Sequence, residues 1–237
     1  MMLDDYAAKN PTDFSAQLRF DDWNQLEEIF HANGAVIIQG DIDQNILDSF
    51  QEELQSDAAT KVPTSYPGRL RYRLGPPSEC PIRGFRHMLA SKTLAAALDR
   101  ISFHGSGSTA WSPSYCGGDE VAPLTANMQV LHSDWPDYPT SSMRLGYALC
   151  VSLALNDVPR HRAPIRFVPW SRLWRKAEYP QFGGEDVYTE GFEVTLKAGE
   201  FLIRDCRAAH GGTPNLTTST RCLPCVQIAA ATPAWNL

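Results

Sequence analysis

The stretch GFEVTLKAGEFLIRD, residues 191–205, reads as two short β-strands joined through Lys197, Ala198 and Gly199. Working outward, further β-prone runs fall at 125–132, 145–155, 164–169 and 222–230, each bounded by Gly, Pro or Asp. Many short strands separated by turn residues point to a sandwich or barrel. The N-terminal third has a different texture. FDDWNQLEEIFHANG (20–34) places Leu26, Ile29 and Phe30 on one helical face, with Asp21 or Asp22 as cap and Gly34 as stop. AVIIQG (35–40) is a short apolar strand, and DIDQNILDSFQEELQSD (41–57) carries Ile46, Leu47, Phe50 and Leu54 at helical spacing. SKTLAAALDRI (91–101) reads as a third helix capped by Ser91. The Pro-, Gly- and Arg-rich segment 56–90 and the run SGSTAWSPSYCGGDEVAP (106–123) read as loops. The expected fold is mainly β with N-terminal helices: one domain over 1–237, with mostly helical support in 1–101 and a β-core in 102–230.

Bulk properties exclude several classes. The chain has 237 residues, 43% hydrophobic and 20% charged, which is ordinary globular composition. A formal net charge of -6 argues against a nucleic-acid footprint. No apolar run is long enough to span a membrane, and the first residues lack a basic-then-apolar leader, so a cytoplasmic location is expected. Six cysteines in a chain this long suggest free thiols in a reducing compartment. CLPC (222–225) has the spacing of a redox pair, but its flanks read as a strand, which favours a structural role. The segment GRLRYRLG (68–75) carries Arg69, Arg71 and Arg73, with Arg83 and Arg86 close behind. Such a cluster is either a salt-bridged solvent face or a site for an anionic small molecule. The oligomeric state is not readable from the chain.

Within LHSDWPDY (131–138), His132 and Asp134 would share one face of a strand end, because alternate residues project together. Imidazole plus carboxylate is two-thirds of the facial triad that holds non-haem Fe(II) and leaves coordination positions open. The third ligand must then be distant. His31 lies on the first helix, His87 and His104 lack a strand partner, and His161 sits in a polar loop. His210 opens HGGTPN after a strand and turn, and Arg221 follows eleven residues later, where a guanidinium can pair with a carboxylate. Read from residues alone, His-x-Asp also fits an ordinary histidine beside an aspartate.

NGAVIIQG (33–40), MQVLHSDW (128–135) and AGEFLIRDCRAAHGGTPNLTTSTR (198–221) together resemble the phytanoyl-CoA dioxygenase-like family of Fe(II)/2-oxoglutarate oxygenases. The resemblance implies a double-stranded β-helix, the cupin-like jelly roll, buttressed by N-terminal helices. It implies Fe(II) on His132, Asp134 and His210, and Arg221 on the far carboxylate of 2-oxoglutarate, with O2 as the second cosubstrate. Asn127 and Gln129 sit where relatives often touch cosubstrate or substrate, and Thr213 could take the place of a serine that some relatives carry at position 212, here Gly212. Asp134 itself implies hydroxylation or a related oxidation, since halogenating relatives carry Gly or Ala there. A departure lies in RHRAPIRFVPWSRLW (160–174), where Trp170 replaces a usual glycine and Arg172 stands near a usual histidine. Trp111, Tyr115, Trp135, Tyr138, Trp170 and Trp174 are read as core, lid or substrate platform. With Arg71 and Arg73, Trp135 and Trp170 are the candidate substrate contacts for a small organic or secondary-metabolite molecule, anionic if the arginines serve it. The competing expectations are a cupin-type metalloenzyme that does not use 2-oxoglutarate, and a non-catalytic small-molecule-binding protein on the same fold.

Overall fold

The computed structural model describes residues 13–56, 59–101, 111–134, 148–171 and 191–230. Among them are five α-helices: α1 (Ser15–Leu18), α2 (Leu26–Asn33), α3 (Gln44–Gln55), α4 (Gly84–Leu89) and α5 (Lys92–Arg100). The strands are β1 (Ala35–Gln39), β2 (Lys61–Pro63), β3 (Arg69–Gly75), β4 (Trp111–Val121), β5 (Ala148–Leu153), β6 (Ile165–Phe167), β7 (Phe192–Val194), β8 (Glu200–Asp205), β9 (His210–Gly212) and β10 (Arg221–Ala230). They form a seven-stranded antiparallel sheet, ordered β1-β8-β5-β10-β4-β3-β2, and a three-stranded sheet, ordered β7-β6-β9.

Alternation along the strands builds the layers. On β10, Cys222, Val226 and Ile228 join the core beneath the helices, whereas Arg221, Leu223, Cys225 and Gln227 face an inner cavity. Helices α2 to α5 lay Phe30, Leu47, Phe50, Phe85, Met88 and Leu94 against that outer face of the large sheet. A second apolar layer, containing Ile37, Phe167, Val194, Leu202 and Leu223, lies between the two sheets. Two facing antiparallel sheets with helices on one outer side are the expected double-stranded β-helix.

Local chemistry explains the helix ends. Gly34 adopts φ 81°, and its N–H donates to the Phe30 carbonyl, closing α2. The Ser91 hydroxyl accepts from Leu94 N at 3.0 Å and caps α5. Asp22 accepts from Asn24 N at 3.0 Å and caps the 3-10 turn Trp23–Gln25 that leads into α2.

Two segments expected to be loops are strands. GRLRYRLG becomes β3, paired with β2 and β4, because Tyr72 and Leu74 alternate into the core while Arg71 and Arg73 face the cavity. The second is β4, eleven residues long, despite Pro113, Gly117 and Gly118. It tolerates them because its pairing with β10 slips at Gln227/Ile228 and Gly118 takes φ 136°. A Cβ at Gly118 would lie 2.7 Å from Pro224 Cα, so the two strands approach too closely for a side chain. Residues 13–101 therefore supply three strands to the large sheet, and residue 101 is no structural boundary between helical support and β-core. Conversely, 125–132 is no regular strand. Among the described residues it pairs through isolated bridges, His132 to His210 on β9 and Thr125 to Asn215 beyond it.

Candidate metal centre and active site

The metal-ligand candidates meet because main-chain hydrogen bonds bring them together. His132 N donates to His210 O at 2.8 Å, and His210 N donates to His132 O at 2.9 Å. Asp134 N donates to Cys206 O at 3.0 Å. One ligating atom from each of His132, Asp134 and His210 lies within 4.8 Å of the others. His132 Nε2 is 3.8 Å from Asp134 Oδ1, and His210 Nε2 is 3.4 Å from Asp134 Oδ2. Both imidazoles turn Nδ1 toward a backbone carbonyl, His132 to Val130 O at 2.9 Å and His210 to Ala208 O at 3.0 Å. An Nδ1–H donated to Val130 O leaves His132 Nε2 with a free lone pair, the tautomer a metal requires; His210 Nδ1 lies between Ala208 O and the donor Arg204 Nη1, at 2.9 Å, and ligation through its Nε2 requires the proton on Nδ1, donated to Ala208 O. Two nitrogen donors and one carboxylate oxygen on one side of a pocket fit Fe(II) with open positions.

Electrostatics suits the same use. Burial and the adjacent Arg204 push the His210 pKa down to about 3, so the ring is neutral at pH 7. Burial works against the Asp134 carboxylate, but His210 and Arg204 hold its pKa well below the usual range. Arg204, buried on β8, donates from Nη2 to Asp134 Oδ2 at 2.8 Å. Sequence reasoning missed this residue. Its available signal was a cation directly after the apolar run FLI, on a buried strand and six positions before His210.

The triad opens on a cavity of about 320 Å³ that is also lined by Arg71, Arg73, Tyr115, Asp119, Gln129, Cys150, Arg204, Gln227 and Arg221. Arg221 is 3% exposed; its Nε donates to Ala163 O at 3.0 Å and Nη1 to Asp119 O at 3.2 Å. Those bonds aim the guanidinium, and burial lowers its pKa. A second cavity of about 290 Å³ adjoins the first, sharing Arg71, Arg73, Gln129 and His132 and adding Thr64, Tyr66 and Val130. Arg71 Nε donates to Asp119 Oδ1 at 3.2 Å.

Other candidates separate. Gln129 lines both cavities, and its Oε1 accepts from Gly212 N at 2.8 Å. Asn127 does not line either cavity; its Oδ1 accepts from Arg69 Nε at 2.9 Å, so it orders a buried arginine. Thr213 is fully buried with its hydroxyl donating to Pro164 O at 2.7 Å, which turns it away from the cavity. The one-residue step from the cavity-lining Gly212 reverses the side chain. Trp170 is 55% exposed and lines neither cavity; its φ of 64° gives the physical reason a glycine is usual there. Trp111 donates Nε1–H to Leu98 O at 2.7 Å and anchors α5 to the sheet. Trp135, Tyr138, Arg172, Trp174 and His104 lie outside the described residues. Arg83 pairs with Glu53 at 2.8 Å, away from the cavities. Cys222 lies in the core, where it accepts from the Tyr72 hydroxyl at 3.3 Å, whereas Cys225 lines the cavity. These opposite faces of β10 are incompatible with a redox pair.

A two-histidine, one-carboxylate centre beside a buried arginine, on a double-stranded β-helix, defines a non-haem iron oxygenase. The chain belongs to the phytanoyl-CoA dioxygenase (PhyH) family, whose model matches residues 85–222, more than half of its length. It is similar in structure to AviO1 from Streptomyces viridochromogenes Tue57, with TM-score 0.63, 18% identity, and coverage of 90% of this chain and 97% of that one. The epimerase SnoN, solved with Fe3+, alpha-ketoglutarate and nogalamycin RO, matches with TM-score 0.65 and 18% identity over 89% of this chain and 86% of its own. HygX from Streptomyces hygroscopicus, solved with nickel, 2-oxoglutarate and hygromycin B, matches with TM-score 0.64 and 18% identity over 89% and 88%. At these identities the structural likeness establishes a common fold. No curated protein matches the chain in sequence.

Proposed function

We propose that this chain is an Fe(II)- and 2-oxoglutarate-dependent oxygenase that oxidises a small organic molecule of the secondary-metabolite kind, releasing succinate and CO2. The observation that carries the reading is the convergence of His132, Asp134, His210 and Arg221 on one cavity. His132 and His210 would hold the metal through Nε2 and Asp134 through a carboxylate oxygen. Bound Fe(II) would supply the redox chemistry that couples decarboxylation of the keto acid and reduction of O2 to substrate oxidation. Arg221 would receive the distal carboxylate of 2-oxoglutarate, its orientation set in advance by Ala163 O and Asp119 O. Arg71 and Arg73, between the two cavities, supply positive charge that favours an anionic substrate over a neutral one. The relatives bound to nogalamycin RO and to hygromycin B support a secondary-metabolite substrate and permit oxidative outcomes other than hydroxylation.

No helix among the described residues is long and apolar enough to cross a membrane. The described cysteines are free, in keeping with a reducing, cytoplasmic setting. The test is anaerobic titration with Fe(II) and 2-oxoglutarate, which should raise a visible charge-transfer band in wild type and none in folded H210A. A band of equal strength in H210A removes the ligand assignment. A substrate screen coupled to succinate release then names the molecule, and turnover independent of 2-oxoglutarate would return the cupin-type alternative.

A further inference from the structure

One charge in the cavity is left unused by that chemistry. Arg204 is 4% exposed, on a strand in which every residue is buried. A buried guanidinium is costly unless it is paired, and next to a prospective dication it adds repulsion. Burial works against its charge, yet Asp134 raises its pKa further, so it stays cationic. Arg204 Nη2 donates to Asp134 Oδ2 at 2.8 Å, and Nη1 lies 2.9 Å from His210 Nδ1. Asp134 Oδ1 receives no hydrogen bond among the described residues and faces His132 Nε2 at 3.8 Å, while the Arg204-bound Oδ2 lies 3.4 Å from His210 Nε2. Main-chain bonding of Asp134 N to Cys206 O fixes the base of the side chain, so the guanidinium governs the remaining rotation of the carboxylate.

We propose that Arg204 is a positioning residue: by occupying Asp134 Oδ2 it limits the carboxylate to one-oxygen ligation through Oδ1 and keeps the adjoining coordination positions free for the keto acid and oxygen. This rests on the metal reading above. It also means that removing the Asp134 carboxylate leaves a buried cationic niche the size of a one-carbon carboxylate.

The experiment uses cobalt(II) sulfate as the metal probe and sodium formate as the replacement carboxylate, read by Co(II) absorption and calorimetry in the full chain. D134A should bind Co(II) at least about 10- to 100-fold more weakly than wild type, the loss typical when a metal site loses only an outer-shell partner of a ligand. Formate should recover at least about tenfold of that loss in D134A, and none in D134A/R204M; R204K, keeping the charge without the fork, should allow partial recovery. Equal recovery with and without Arg204, or no recovery in folded D134A, overturns the proposal. Failure of the underlying metal reading looks different: wild type would not bind Co(II), or H210A would bind it equally well. Should D134A/R204M fail to fold, formate should still raise the melting temperature of metal-free D134A and leave wild type unmoved. Should D134A itself fail, R204M must change the Co(II) band as the second carboxylate oxygen coordinates, and an unchanged band sinks the idea.

Discussion

Gly212 lines the cavity beside His210, and replacing it with alanine tests how the site is braced. A Cβ there would overlap Arg69 Nη1, lie 3.1 Å from Arg69 Cζ and lie 2.7 Å from Gln129 Oε1. Arg69 cannot swing aside cheaply. It is 3% exposed, and it donates to Asn127 Oδ1 at 2.9 Å, Asn127 O at 3.0 Å and Thr213 O. Hydrogen bonds from a charged group contribute about 1.5–3 kcal/mol each, so losing one or two should cost roughly 3 kcal/mol. For a chain of this length that lowers the melting temperature by about 6–12 °C. Denaturant unfolding of wild type, G212A, R69M and the double variant forms a cycle. If overlap with the guanidinium is the cause, G212A should cost much less in the R69M background. A G212A protein within about 0.5 kcal/mol of wild type, or an equal cost in both backgrounds, refutes the reasoning.

R221M should raise the 2-oxoglutarate requirement on the order of 10- to 100-fold, as expected when a charged partner is removed, while leaving Co(II) affinity within about twofold. Steady-state titration of the cosubstrate and calorimetry of the metal separate the two. The metal-free protein should lose stability as pH falls. His210 stays neutral in the folded state down to about pH 3, whereas the unfolded ring takes up its proton near 6.5. The unfolded state therefore binds more protons between those values, and stability drops by up to about 3 kcal/mol from pH 6.5 to 4. The Asp134 contribution, from a lowered pKa, is lost only below the unfolded carboxylate value of about 3.9. Urea unfolding across this range should show the loss in wild type and a flatter profile in H210Q.

Local signals carried much of this molecule. The α2 helix was legible because Leu26 and Phe30 repeat at helical spacing and Gly34 stops it, and β8 because the apolar run FLI (201–203) follows the turn residue Gly199. His132, Asp134 and His210 were legible as a ligand set through their residue types and the family resemblance. What escaped were features decided across strands. In β3 the arginines hid a strand alternation, since the inward face of this sheet is polar where it walls a cavity. The glycines and proline of β4 disguised an eleven-residue strand that only its partners make regular. Arg204 gained its role from Asp134, seventy positions away, which no local pattern reports. At Thr213 a single step along the chain chooses between cavity and interior, a choice that depends on whether the segment is strand or loop.

The reciprocal hydrogen bonds between His132 and His210 mean that two imidazole-bearing residues ride on the same piece of backbone pairing. Main-chain bonding, rather than the side chains alone, sets their spacing. Loading should thus proceed as simple docking, with little of the folding cost that small zinc modules meet on binding, and the peptide frame should look alike in empty and filled protein. Variation in the surrounding loops can then change what is oxidised without disturbing where the oxidant is held.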